Sequence, residues 1–244
     1  MNRLAIPTAV TLANVACGFA ALIALATPGD HLALAGWLVV GAWLLDMVDG
    51  QVAKLMGATS AFGAQLDSLC DAVSFGAAPA LLIATAGGPW GWAAGFAFLA
   101  AVLSRLARFN VDAGDDADGH LYFVGLPSPA GGMAIAALAL CGRWLGEPPH
   151  AIVPVDAGVA HALAGALPVA LPLAGLLMAA LMISQVRYAD LPKHYLKKLA
   201  PRAQLLALPV VAALLSPQAA LAAFFATYAV AGLVGAWRPR PAAS

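Results

Sequence analysis

Four aspartates, Asp46, Asp49, Asp67 and Asp71, fall in stretches of chain that are otherwise almost wholly apolar. Asp46 and Asp49 stand at i, i+3 and Asp67 and Asp71 at i, i+4, so on helices each pair shares one face. The connection around residues 57–60 is short, which makes the two helices antiparallel neighbours with their acids facing each other near one end. Carboxylates crowded together in this way cannot all stay ionised unaided, and an ionised carboxylate at membrane depth is costly by itself. A hard divalent cation resolves both conflicts. Ligands that are all oxygen select Mg2+, Mn2+ or Ca2+ over zinc. Gly50 follows Asp49 and Gly63 precedes Asp67 by one helical turn, and both would let a substrate or another backbone approach closely. The alternative is that the acids cap helices or pair with Lys54, but a single lysine cannot neutralise four acids.

Holding these side chains requires a membrane framework. The 244 residues are 62% hydrophobic and only 10% charged, with a mean hydropathy of +0.87. A soluble domain carries about 25% charged residues, so the composition excludes an ordinary cytoplasmic enzyme, a nucleic-acid binder and a disordered protein. The formal net charge of zero gives no general pull toward nucleic acid or anionic surfaces. A spanning helix needs about 20 apolar residues. Glycine and proline breaks then delimit helices over 5–26, 31–55, 62–86, 90–110, 129–146, 162–186, 203–216 and 218–237. The seventh is short and interrupted by Pro209, the stretch 146–158 reads as a loop, and no internal repeat is visible. The expected fold is therefore all-α: one integral-membrane domain over residues 1–244, a polytopic bundle of about eight transmembrane helices.

With that count, alternate connections share a side with both termini. Arg3, Lys54, Arg105, Arg108, Arg187, Lys193, Lys197, Lys198, Arg202, Arg238 and Arg240 fall there, and Arg143 alone falls opposite. The positive-inside rule then makes both termini cytoplasmic and puts the aspartates at the cytoplasmic boundary of a cell (inner) membrane. Arg3, an apolar run and Ala24-Leu25-Ala26 imitate a signal peptide. Cleavage there would discard Thr11, Asn14 and Gly18, a stripe for which a plain signal helix has no use, so the segment reads as the first span. Cys17, Cys70 and Cys141 lie in apolar stretches without a C-x-x-C pair and indicate neither a disulfide framework nor zinc.

The acids belong to a longer pattern: Asp46-x2-Asp49-Gly50-x2-Ala53-Lys54-x8-Gly63-x3-Asp67-x3-Asp71. It resembles the signature of the CDP-alcohol phosphatidyltransferases, with Lys54 where the family has arginine. Lysine keeps the charge but gives up bidentate phosphate recognition. Further segments resemble the phosphatidylserine synthase branch: Ile6-Pro7-Thr8-x2-Thr11-Leu12-x-Asn14-x2-Cys17-Gly18-Phe19, Asp67 to Pro79, Arg105 to Asn110 and Gly125 to Pro129. Ser184-x2-Arg187-Tyr188 is a weaker echo.

The resemblance implies a helical membrane enzyme, usually a homodimer, that uses two divalent cations, Mg2+ or Mn2+. Its phosphatidyltransferase core would cover residues 1–186, with additional transmembrane helices over 203–237. Carried over position by position, Asp46, Asp49, Asp67 and Asp71 would be metal ligands, with Asp71 also the general base. Gly50, Ala53 and Lys54 would line the CDP site, joined by Asp49 and Gly63. The reaction would transfer the phosphatidyl group of CDP-diacylglycerol to the hydroxyl of L-serine, giving phosphatidylserine and CMP, with no nucleic-acid partner.

Thr8, Thr11 and Asn14 follow a helical spacing of three, so they either line the nucleotide pocket or hydrogen-bond between helices, with Gly18 as a close-packing site. Serine offers a carboxylate and an ammonium. Arg105, Arg108, Asn110 and Ser128 are the candidates to hold it, with Ser128 expected to N-cap the fifth span before Pro129. The two arginines could instead snorkel to the interface as anchors. One competing reading keeps the chemistry and changes the acceptor to glycerol 3-phosphate, an inositol phosphate or choline. Another, from a different class, is a cation-coupled transporter, since intramembrane acids also mark ion pathways.

Overall fold

Apolar runs punctuated by glycine, proline and serine become helices, as their hydropathy requires. The computed structural model describes residues 5–55, 60–112, 122–146, 156–189 and 216–236. Helix α1 (Ala5–Ala26) packs along α2 (Leu32–Leu55). Helix α3 (Ala61–Asp71) leads without a loop into a π-helical stretch, Ala72–Ala77, and then into α4 (Ala78–Asp112). Ser60 caps α3, its hydroxyl accepting from the Gly63 N–H at 3.0 Å. Helix α5 (Ser128–Gly146) follows, then α6 (Ala157–Gly165), α7 (Leu167–Ile183) and α8 (Pro217–Ala236).

Ala61–Val111 is a helical run of 51 residues. At about 1.5 Å per residue it is far longer than one crossing of a hydrocarbon core about 30 Å thick. It doubles back at Gly88, whose φ of 57° is left-handed, immediately before Pro89. Glycines let the two arms meet at backbone distance. A Cβ added to Gly95 would lie 2.5 Å from the Ala80 carbonyl oxygen, and one on Gly91 would lie 2.5 Å from that of Ile83. Gly76 meets the Val102 side chain in the same antiparallel register. Side-chain hydrogen bonds extend the pairing to the far end: Ser68 Oγ donates to Asn110 Oδ1 at 2.9 Å, and Asn110 Nδ2 donates to Gln65 Oε1 at 3.3 Å. Asp71 and Arg105 consequently lie at one level. Trp90 and Trp92, exposed at the turn, fit an interfacial belt.

Pro7–Ala26, Leu32–Val52 and Ala61–Val111 are long and apolar enough to cross a membrane, and the bent pair α6–α7 makes a fourth such segment. Helix boundaries follow the expected ones closely, with one correction. The span expected over 162–186 begins at Ala157, where Asp156 caps α6, and bends by 54° at Ala166. Pro168, in the first turn of α7, restarts the helix there because its missing N–H has no role in that position. The all-α expectation holds for the fold, and its connections add one short ribbon. Two three-residue strands, β1 (Tyr122–Val124) and β2 (Arg187–Ala189), pair antiparallel with Phe123 opposite Tyr188. These are extended connections whose backbone groups need partners, and their aromatic and β-branched residues favour strand. The span expected over 203–216 and the acidic stretch after Asp112 lie outside the described residues, apart from Ser216.

The core joins α4, α5 and α7 around Phe75, Phe98, Met133 and Leu171. A Gly95→Leu side chain would have to enter backbone contact with Ala80. We expect it to destabilise the protein by about 1–3 kcal/mol, read as a lower midpoint of thermal unfolding in detergent micelles, whereas Leu at exposed Val111 should leave the midpoint unchanged.

Candidate active site

Asp46 reaches the site from the last turns of α2, and Asp67 and Asp71 from α3. Carboxylate oxygens of these three all lie within 4.8 Å of one another, with Asp71 buried and the other two half-buried. Asp49, buried one turn after Asp46, lies within Coulombic reach of both Asp46 and Asp67. The Thr11 hydroxyl of α1 donates to Asp49 Oδ2. Helices α2 and α3 thus bring Asp46, Asp67 and Asp71 together with Asp49 nearby, and α1 adds the Thr11 donor.

The all-oxygen donor set suits a hard cation. Asp71 Oδ1 is buried and makes no hydrogen bond. A carboxylate oxygen in that position is costly unless something outside the protein satisfies it. The residues present therefore fit a divalent metal.

The acceptor candidates separate. Arg105 is buried and lies within Coulombic reach of Asp71. Its Nη1 donates to Ser128 Oγ at 3.0 Å, and its guanidinium carbon lies 5.8 Å from the centre of the Phe109 ring. Arg108 is exposed. Asn110 spends its amide on Ser68 and Gln65, tying α3 to α4. Ser128 does not act as the expected cap. Helix α5 begins at Ser128, the Pro127 carbonyl accepts from the Gly131 N–H, and the Ser128 hydroxyl is left for Arg105.

Of the nucleotide candidates, Thr11 and Asn14 are buried and Thr8 is half-buried, all on α1. Gly50 faces open space, with nothing within 4 Å of an added Cβ. Gly63 sits in the first turn of α3, bonded to Ser60. The side chains of Ala53 and Lys54 lie outside the described residues.

Two features escaped the sequence reading. Tyr188 of the ribbon is buried, packs at a tilt against Tyr228 of α8 with ring centres 5.5 Å apart, and donates to the Ala229 carbonyl at 3.3 Å. Tyr228 in turn lies within electrostatic reach of Arg105. The last helix thereby borders the Arg105 pocket. The ribbon is anchored at Gly125, with a φ of 79° and an added Cβ 2.4 Å from the Met182 carbonyl oxygen, a place only glycine can occupy. The sequence signals were the Ser184–Tyr188 echo and the glycine before Leu126.

Residues 4–170 match the CDP-alcohol phosphatidyltransferase family. The chain belongs to that family. It is similar to a CDP-diacylglycerol–serine O-phosphatidyltransferase of Mycobacterium bovis, 35% identical over 153 residues, which is 60% of this chain and 53% of that protein. The enzyme of the same name from Helicobacter pylori is 38% identical over 111 residues, 44% of this chain and 46% of the relative. An archaetidylserine synthase of Methanothermobacter thermautotrophicus is 34% identical over 146 residues, 58% of this chain and 60% of the relative. The chain thus spans about half the length of the first two relatives. The family match ends before α8, so Tyr228 lies beyond it.

Removing the Thr11 hydroxyl leaves the buried Asp49 carboxylate short of a donor. Thr11→Val should cost about 1–3 kcal/mol of stability and Thr11→Ser should restore most of it, both measured by thermal unfolding in micelles.

Proposed function

We propose that this protein transfers the phosphatidyl group of CDP-diacylglycerol to L-serine, releasing CMP and phosphatidylserine. The observation that carries this reading is the convergence of Asp46, Asp67 and Asp71 within 4.8 Å, with Arg105 beside Asp71 in a chain of this family. The names of the relatives support serine as acceptor, since all three are called serine or archaetidylserine enzymes.

In this reading Asp46, Asp49, Asp67 and Asp71 hold two divalent cations, Mg2+ or Mn2+. Bound there, such cations neutralise charge on the pyrophosphate and stabilise the leaving oxygen. The chain's own residues do the rest. Asp71 takes the proton of the serine hydroxyl, whose oxygen forms a bond to the phosphatidyl phosphorus as the pyrophosphate P–O bond to CMP breaks. Arg105, steadied by Ser128 and Phe109, receives the serine carboxylate, with exposed Arg108 guiding anions toward the site. Thr8, Thr11, Gly50, Ala53, Lys54 and Gly63 line the CDP moiety, and the open space at Gly50 suits a bound nucleotide.

The bundle carries about eight spans with both termini and the active site on the cytoplasmic side of the inner membrane, as the distribution of lysine and arginine supports. It forms a single integral-membrane domain, with the catalytic core over residues 1–186 and extra helices over 203–237. The family resemblance supports a homodimer.

Purified protein in mixed micelles with CDP-diacylglycerol and Mn2+ should release CMP with serine and not with glycerol 3-phosphate, inositol phosphate or choline. Asp71→Asn should lower the rate by about 100-fold or more, the usual contribution of a general base. Release with another alcohol alone would overturn the choice of serine. Chelation with EDTA should abolish turnover and lower the unfolding midpoint, with Mn2+ restoring both by binding only the folded state. Asp67→Asn should lose most of that thermal response.

A further inference from the structure

Asn14 sits mid-way along α1 and is fully buried, its backbone carbonyl accepting from Ser74 Oγ at 3.2 Å. One turn on, Gly18 lets α1 press against the stretch that follows Asp71: an added Cβ would stand 2.4 Å from Ser74 Oγ and 2.7 Å from Ser74 Cα. The contact fixes α1 with the Asn14 carboxamide against the Asp71 carboxylate, within hydrogen-bonding reach of it. Asn14 Oδ1 is shut off from solvent and accepts no hydrogen bond, and the only group among the described residues that Nδ2 has to donate to is the Asp71 carboxylate. Leaving a buried donor or acceptor unmade costs about 1–3 kcal/mol for each group. Alanine or leucine would avoid that cost in a dry helical interior. A fixed carboxamide whose oxygen has no donor, lying against a buried carboxylate, is a site built to be completed by a ligand.

We propose that Asn14 is a specificity-determining residue for the acceptor, its carboxamide receiving the adjacent amino and hydroxyl groups of an amino alcohol. The inference rests on serine as the acceptor. Asn14 Oδ1 accepts from the ammonium, and Nδ2 donates to the hydroxyl oxygen, whose own hydrogen is directed at Asp71. Ammonium and hydroxyl occupy neighbouring carbons, so one planar amide spans both. Arg105 is then free to take the carboxylate. Helical spacing alone groups Asn14 with Thr8 and Thr11 in the nucleotide pocket, but Thr11 serves Asp49 while Asn14 faces Asp71. A site built around hydrogen bonds to a polar substrate group discriminates strongly against the analogue lacking it.

The test uses Asn14→Ala and Asn14→Leu in the full chain, with CDP-diacylglycerol and Mn2+ in mixed micelles. Both variants should raise KM for serine about tenfold or more while holding KM for CDP-diacylglycerol within about twofold. The preference for serine over 3-hydroxypropionate, which is serine without its ammonium, should fall by about tenfold. Without substrates their unfolding midpoints should equal or exceed that of the unsubstituted protein, because the buried acceptor without a donor is gone. Serine should raise the midpoint of the unsubstituted protein and leave those of the variants in place. A rise in KM for CDP-diacylglycerol with that for serine unchanged would overturn the proposal in favour of a nucleotide contact. Lower midpoints in both variants with substrate preference intact would overturn it in favour of a structural role. If the unsubstituted protein releases CMP with glycerol 3-phosphate and not with serine, the proposed function falls together with this inference. Turnover of serine with unchanged variants removes this inference alone.

Discussion

Like charges repel more strongly where water is scarce, and this protein gathers carboxylates where neighbouring residues are almost all apolar. Asp46, Asp67 and Asp71 would separate if their helices were free to turn. Much of the surrounding structure restrains that turning. Ser60 fixes the start of α3, Asn110 ties its outer face to α4, and Gly18 and Ser74 lock α1 against the stretch beyond Asp71. Acids held together in this way are pre-arranged for the multivalent cation proposed above, because a site that relaxed without an ion would have to be rebuilt on binding.

The opposite charge arrives by register rather than by chain proximity. The hairpin turning at Gly88 brings Arg105 level with Asp71, and α5 presents Ser128 to the same guanidinium. The ribbon then joins the entry to α5 with the exit from α7, and Tyr188 hooks α8 onto it. The Arg105 pocket is thus bordered both by a segment inside the family match and by a helix outside it. The acids stay with α2 and α3, while later elements wall the Arg105 side.

Much of this was readable in the sequence. The acid pairs, their facing helices and most helix boundaries follow from periodicity, hydropathy and the positions of proline and glycine. The hairpin was readable at Pro89, but its register was not, because glycines spaced four apart say that backbones meet without saying which carbonyls they meet. Arg105 and Arg108 looked equivalent from spacing. Only the packing of α5 buries one of them and leaves the other exposed. Asn110 looked like a ligand because it lies beside the arginines, yet its amide is taken up by Gln65 and Ser68. The ribbon and Tyr228 depend on contacts between distant segments, and no local pattern encodes those.

The π-helical stretch Ala72–Ala77 separates the acid-bearing helix from the arm that builds the hairpin. Each residue of an α-helix advances the side chains by about 100°, so these six positions act as an angular spacer as well as a structural joint. Loss of one residue there could let ordinary helical bonding run through and leave every side chain chemically intact. Asp67 and Asp71 would then point away from Asp46 and Arg105 by roughly a quarter turn or more. In this segment the number of residues is under as tight a constraint as their identity, and an insertion or deletion would be a more damaging change than most substitutions.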